Sequence, residues 1–169
     1  PSLIENLINN CQENIKEISK VYKNSQHMLC LGRGFNYPVA LEGALKIKEV
    51  SYIHAEGYSA AEMKHGPIAL IDENMPVIFI AIDDSVFKKV KSNIQEVKSR
   101  GGKIILITNK KEEYIKDLYD HKIVIPKTQE QLYPFLTVVP FQLLSYYLAF
   151  ENGCDIDKPR NLAKCVTVE

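Results

Sequence analysis

Glu42, Lys46 and Glu49 recur at i, i+4 and i+7, so a helix through them sets two carboxylates and an ammonium on one face. A solvated helix face laced with salt bridges is the ordinary reading of that spacing. A second reading is chemical: one positioned carboxylate can carry a proton between adjacent carbons, and a nearby lysine can steady the oxyanion that develops. His65 stands in Lys64-His65-Gly66-Pro67, where the helical pattern breaks. Most loop histidines are simply surface groups, but an imidazole there also supplies an acid/base near neutrality. Lys164 lies in a tail with Leu162, Ala163, Val166 and Val168, a composition that suggests packing on the core. A solvated charge is the common fate of such a lysine. Desolvation would lower its pKa and let the neutral amine attack a carbonyl. His54 reads as structural, and His27 and His121 carry no signal. Gly32-Arg33-Gly34 forms a turn where backbone amides could meet an anion, though ordinary turn-making explains it equally well.

These residues must be held by elements the sequence also signals. Leu3, Ile4, Leu7, Ile8, Cys11, Ile15, Ile18 and Val21 follow one face of a helix from Ser2 to Lys23, with Ser2 and Glu5 as a capping box. Met28 to Leu31 is a short buried strand. Pro38 suits the first turn of a helix reaching about Val50, and a further helical stretch near Ala60 to Lys64 is cut by Gly66-Pro67. Strands then alternate with helices: Pro76 to Ile82 (strand), Ser85 to Arg100 (helix), Lys103 to Thr108 (strand), Glu112 to Leu118 (helix), Lys122 to Ile125 (strand) and Tyr133 to Asn152 (helix). Alternation of this kind predicts an α/β fold, a three-layer α/β/α sandwich around a mainly parallel sheet. One domain over residues 1–169 is expected, with an irregular tail from 154 to 169, since Pro159 stops any helix.

Composition narrows the partners. Lysine plus arginine equals aspartate plus glutamate at 21 each, so bulk charge recruits neither nucleic acid nor membrane. No apolar run is expected to span a membrane and no signal-peptide pattern opens the chain, which points to a cytoplasmic protein. Cys11, Cys30, Cys154 and Cys165 are scattered without a C-x-x-C pair, so free thiols are expected rather than disulfides or a metal site.

Three stretches are more particular: LGRGFNYPVALEGALKIKEVSYIHAEGYSAAEMKHGP from Leu31 to Pro67, the helix YPFLTVVPFQLLSYYLAF, and the ending KPRNLAKCVTVE. Over essentially the whole chain they resemble the second sugar-isomerase (SIS) subdomain of the glutamine:fructose-6-phosphate aminotransferases. The resemblance implies a flavodoxin-like SIS fold and a share in converting fructose 6-phosphate and glutamine-derived ammonia to glucosamine 6-phosphate, the hexosamine precursor of UDP-N-acetylglucosamine. It implies no metal or organic cofactor, a homodimer, and a longer chain that adds a glutaminase domain and a first SIS subdomain. In the matching motifs Glu49 takes the place of the proton-shuttling base and Lys46 that of a supporting lysine. His65 matches a ring-opening histidine donated across the dimer interface. Lys164 matches the lysine that forms an imine with the open-chain sugar, and Ala163 beside it a substrate contact.

One departure is informative. Phosphate-holding SIS domains place a serine- and threonine-rich loop after a strand, whereas here the strand end reads Ala81-Ile82-Asp83-Asp84-Ser85. Two acids would repel a phosphate, so the anchor is expected in the first SIS subdomain. The rival readings are a related phosphosugar deglycase or isomerase, for which the NLAK ending would be out of place, and a sugar-phosphate binding module, which would need its own phosphate loop.

Overall fold

The computed structural model describes residues 1–162. Its elements follow from two kinds of segment. The runs MLCL, PVIFI and KIILIT are apolar on both faces, as strands buried between two layers must be. They form β1 (His27–Gly32), β3 (Pro76–Ile80) and β4 (Lys103–Thr108), flanked by β2 (His54–Ser59) and β5 (His121–Val124). All pairs are parallel and the order is β2-β1-β3-β4-β5, the flavodoxin-like arrangement.

The pleat divides each central strand between two cores. Met28 and Cys30, Ile78 and Ile80, and Ile105 and Ile107 face one side, where α1 (Ser2–Tyr22), α2 (Tyr37–Ser51) and α5 (Tyr133–Glu151) pack. Leu29 and Leu31, Val77 and Phe79, and Ile104 and Leu106 face the other side, covered by α3 (Phe87–Lys98), α4 (Glu112–Ile115) and the 3₁₀ turn Glu62–His65. Phe87, Val90, Ile94 and Val97 are all buried there, as their spacing predicts.

Three expectations need correction, and one strand has no counterpart among them. Pro1, not Ser2, precedes the first helical turn; its carbonyl accepts from the Ile4 and Glu5 amides, and no side chain caps the helix. The stretch near Ala60 to Lys64 is a 3₁₀ turn rather than a helix, because Gly66 leaves it at φ 150° and Pro67 follows. A strand, β2, stands just before it. Its sequence HAEGYS lacks the apolar run of the central strands, since an edge strand buries less of its surface. Finally, Glu130–Glu151 is long and apolar enough to cross a membrane by length and composition. Yet Leu136, Phe141, Leu144 and Leu148 are buried against α1 and α2, which accounts for an apolar helix in a core.

Gly57 fixes how closely α2 approaches the sheet edge. A Cβ at this position would stand 2.7 Å from Leu41 Cα and 2.9 Å from Ala40 O, so only glycine permits the contact.

Candidate functional site

The last turn of α2 carries Glu49. Its Oε2 accepts from Lys46 Nζ at 2.7 Å, and the same ammonium lies 3.7 Å from Glu42 Oε1. The structure therefore brings the predicted trio together on one face. The hydrogen bond to Glu49 raises the Lys46 pKa above the ordinary lysine value. A carboxylate at a helix C-terminus meets the negative end of the macrodipole, and Lys46 and Lys48 supply the opposing charge.

Glu49 lines a cavity of about 400 Å³ with Lys48, Tyr52, Ile53, His54, Arg160, Asn161 and Leu162. That volume falls in the range of small-ligand sites. Tyr52 ends α2 in the left-handed region at φ 60° and turns the chain into β2. Its hydroxyl accepts from the Arg160 amide at 2.8 Å, and the Arg160 guanidinium stacks 4.1 Å from its ring centroid. Neither residue was singled out by sequence reasoning, and no local signal pairs positions so far apart. Leu162 lies on the cavity rim but is 54% exposed, so the expected packing of the tail reaches it only in part. Lys164 and Ala163, with Cys165, lie outside the described residues.

His65 is elsewhere. Its turn packs Met63 into the core on the α3 side of the sheet, while α2 lies on the opposite side. Lys64 holds the turn to α3 through Glu96 Oε1 at 2.7 Å, and His65 Nδ1 is 2.8 Å from Glu62 Oε2 with its ring largely exposed. No hydrogen bond or ion pair joins His65 to Glu49 among the described residues. His54, read as structural, pairs its Nδ1 with His27 Nδ1 at 3.2 Å and reaches the Glu49 cavity at the start of β2.

In a sheet of this order ligands usually occupy the crevice outside the strand carboxyl ends, where β1 and β3 diverge. At the carboxyl end of β3 several polar groups are paired within the chain. The Asp83 carboxylate binds Lys110, which holds its pKa below the usual carboxylate range. The Asp83 amide donates to Asn109 Oδ1 at 2.7 Å, and the Val86 amide donates to Asp84 Oδ1 at 3.0 Å. Burial pushes the Asp84 carboxyl pKa up. Two amides after β3 are thus occupied by an amide oxygen and a side-chain carboxylate. At the other turn, a side chain at Gly32 would collide with the Asn36 carbonyl, so close packing explains that glycine.

A larger cavity, about 820 Å³, opens at the amino ends of β1, β4 and β5 between His27, Asp72, Lys103, Asp120 and His121. It contains none of the predicted site residues. The Glu49 cavity, by contrast, is lined both by a lysine-paired carboxylate and by Arg160, Asn161 and Leu162. Among the described residues no group of three or more His, Cys, Asp or Glu is arranged to hold a metal, and Cys11, Cys30 and Cys154 are free thiols.

The SIS domain family profile matches residues 21–152. The chain belongs to the SIS domain family. It is 54% identical over 169 residues to a glutamine--fructose-6-phosphate aminotransferase [isomerizing] of Aquifex aeolicus, covering all of this chain and 28% of that protein. It is 59% identical over 155 residues to the Chlorobaculum tepidum protein of the same name, covering 92% of this chain and 25% of that one. Among solved structures, the C-terminal domain of the glucosamine-fructose-6-phosphate aminotransferase of Francisella tularensis superposes with a TM-score of 0.87 at 40% identity, over 93% of this chain and 44% of that one. The SIS chain thus spans about a quarter of the length of these curated relatives.

Proposed function

We propose that this SIS chain is the second, carboxy-terminal isomerase subdomain of a glutamine:fructose-6-phosphate aminotransferase. There it would carry the proton-transfer and imine-forming half of the site that makes glucosamine 6-phosphate. The observation that carries this reading is the Glu49 cavity, in which a lysine-paired carboxylate at the end of α2 shares a wall with Arg160, Asn161 and Leu162. Lys164 follows Leu162 by two residues, and two residues of chain span at most about 7 Å.

The chemistry runs from these groups. His65 opens the sugar ring by moving a proton between the ring oxygen and the anomeric hydroxyl. The Lys164 amine condenses with the C2 ketone and releases water; ammonia then displaces the lysine, leaving nitrogen on C2. Glu49 takes a proton from C1 and returns it to C2, while the C1 hydroxyl proton passes to nitrogen, giving an aldehyde beside a C2 amine. Ala163, next to the lysine in sequence, would contact the substrate. No step calls for a metal or organic cofactor.

His65 lies across the sheet from Glu49, which supports its serving a neighbouring subunit's site in a homodimer. Tyr37, Leu41 and Leu45 form an exposed apolar stripe along α2, next to Phe35, a surface suited to a partner subunit or the first SIS subdomain. The phosphate of fructose 6-phosphate would be anchored in that first subdomain, since the strand end here carries Asp83 and Asp84. Free thiols at Cys11, Cys30 and Cys154 suit the cytoplasm.

The test is Glu49→Gln in the full-length enzyme. Glucosamine 6-phosphate formation should fall by roughly 10²–10⁴-fold, while glutamine hydrolysis persists. Unimpaired synthesis would return the trio to a surface salt-bridge face.

A further inference from the structure

Tyr52 holds a backbone conformation that its side chain does not favour. It ends α2 at φ 60°, ψ 11°, where a helix usually closes on glycine and a bulky residue is strained. Strain at such a position persists when the side chain does something else. Here it makes two separate contacts with Arg160, a residue 108 positions later: the hydroxyl accepts the Arg160 amide at 2.8 Å, and the ring face carries the guanidinium at 4.1 Å. The segment 155–162 has no helix or strand. Its other hydrogen bonds among the described residues are internal, from the Lys158 amide to Asp155 Oδ1 at 3.0 Å and from the Leu162 amide to the Pro159 carbonyl at 3.4 Å. Tyr52 thus supplies the one hydrogen bond that ties this segment to the folded body among the described residues, and it stands three positions from Glu49 on the wall of the same cavity.

We propose that Tyr52 is a positioning residue that fastens the chain at Arg160 and so holds Arg160, Asn161 and Leu162 on the wall of the Glu49 cavity, for the benefit of Lys164 four residues further on in the sequence. This rests on the reading of Lys164 as the imine former. The contact also sets Arg160, Asn161 and Leu162 along the wall that carries Glu49.

The fastening role and a mere helix-capping role predict opposite results for Tyr52→Gly in the full-length enzyme. Glycine relieves the backbone strain, so capping alone predicts unchanged or higher thermal stability with full activity. Fastening predicts retained stability, a kcat for synthesis lowered about 100-fold, a KM for fructose 6-phosphate within a few-fold, intact glutamine hydrolysis, and faster hydrogen exchange at the Arg160 amide. Tyr52→Phe, which keeps the ring and loses the hydroxyl, should speed that exchange and lower kcat about tenfold. Wild-type kcat with unchanged Arg160 exchange in Tyr52→Gly overturns the proposal. Should the glycine variant fail to fold, unchanged exchange in Tyr52→Phe overturns it. Synthesis surviving in Lys164→Arg would overturn the imine reading instead, and the exchange measurements would still decide whether Tyr52 holds the tail.

Discussion

Lys46 Nζ stands between Glu49 Oε2 at 2.7 Å and Glu42 Oε1 at 3.7 Å, so one ammonium joins both carboxylates of the α2 face. The i, i+3 and i, i+4 spacings make this arrangement a consequence of the helix itself. The hydrogen bond to Glu49 raises the Lys46 pKa. A raised folded-state pKa means that the contribution to stability is complete below the ordinary lysine value and is lost as pH rises through the folded value. These side chains are partly exposed, so the pair is worth about 0.5 kcal/mol at neutral pH. Lys46→Met should lose that amount in urea titrations at pH 7, and the gap from wild type should close at strongly alkaline pH. A gap that persists there would mean the lysine acts through its stem rather than its charge.

Gly57→Ala probes the seating of the helix that carries Glu49. The added Cβ would meet Leu41 Cα at 2.7 Å and the Ala40 carbonyl at 2.9 Å, both backbone atoms that cannot swing aside. A destabilisation of about 1–3 kcal/mol is expected. Denaturant melts showing no change would mean that α2 is not seated on β2 at this point.

The sequence made the centre of the sheet legible and its edge obscure. Ile78 and Ile105 lie in runs apolar on both faces, the mark of a strand covered by two layers, and Lys103–Thr108 matches its predicted bounds. Gly57 shows why β2 was missed: its edge strand reads HAEGYS, where packing on α2 selects a small residue and the open side tolerates His54 and Glu56. Within the site, Glu42, Lys46 and Glu49 were readable because helical periodicity alone places them together. Tyr52 and Arg160 were not, because their contact depends on where the tail crosses the end of α2, a tertiary fact without local periodicity. Lys164 was singled out by resemblance and by its apolar neighbours, and it lies beyond the described residues.

This 169-residue chain alone should show negligible synthesis of glucosamine 6-phosphate, even with ammonia supplied. Asp84 already holds the Val86 amide at the strand end where a phosphate loop would stand, and the proposed reading puts substrate anchoring in a first SIS subdomain. Steady-state assays with fructose 6-phosphate and ammonium salts check this. Robust turnover would contradict a divided site.

Full-length subunits carrying His65→Ala or Lys164→Ala should each be inactive alone. Mixed after dissociation and reassociation, they should regain activity, because each heterodimer would then contain one site with both groups intact. The position of His65, across the sheet from Glu49, motivates this expectation. No recovery would mean that both groups act within one subunit.

The most direct measurement is reductive trapping on the full-length enzyme. Borohydride added with fructose 6-phosphate should fix a sugar adduct on Lys164, located by mass spectrometry of the terminal peptide. Lys164→Arg should yield no adduct and no synthesis while glutamine hydrolysis continues, since guanidinium stays protonated and cannot attack a carbonyl. Glu49→Gln should still yield the adduct while product formation collapses, if imine formation and proton transfer belong to different residues as proposed. An unmodified Lys164 in trapped wild-type enzyme, or an arginine variant that still makes glucosamine 6-phosphate, would contradict the assignment of imine chemistry to this chain.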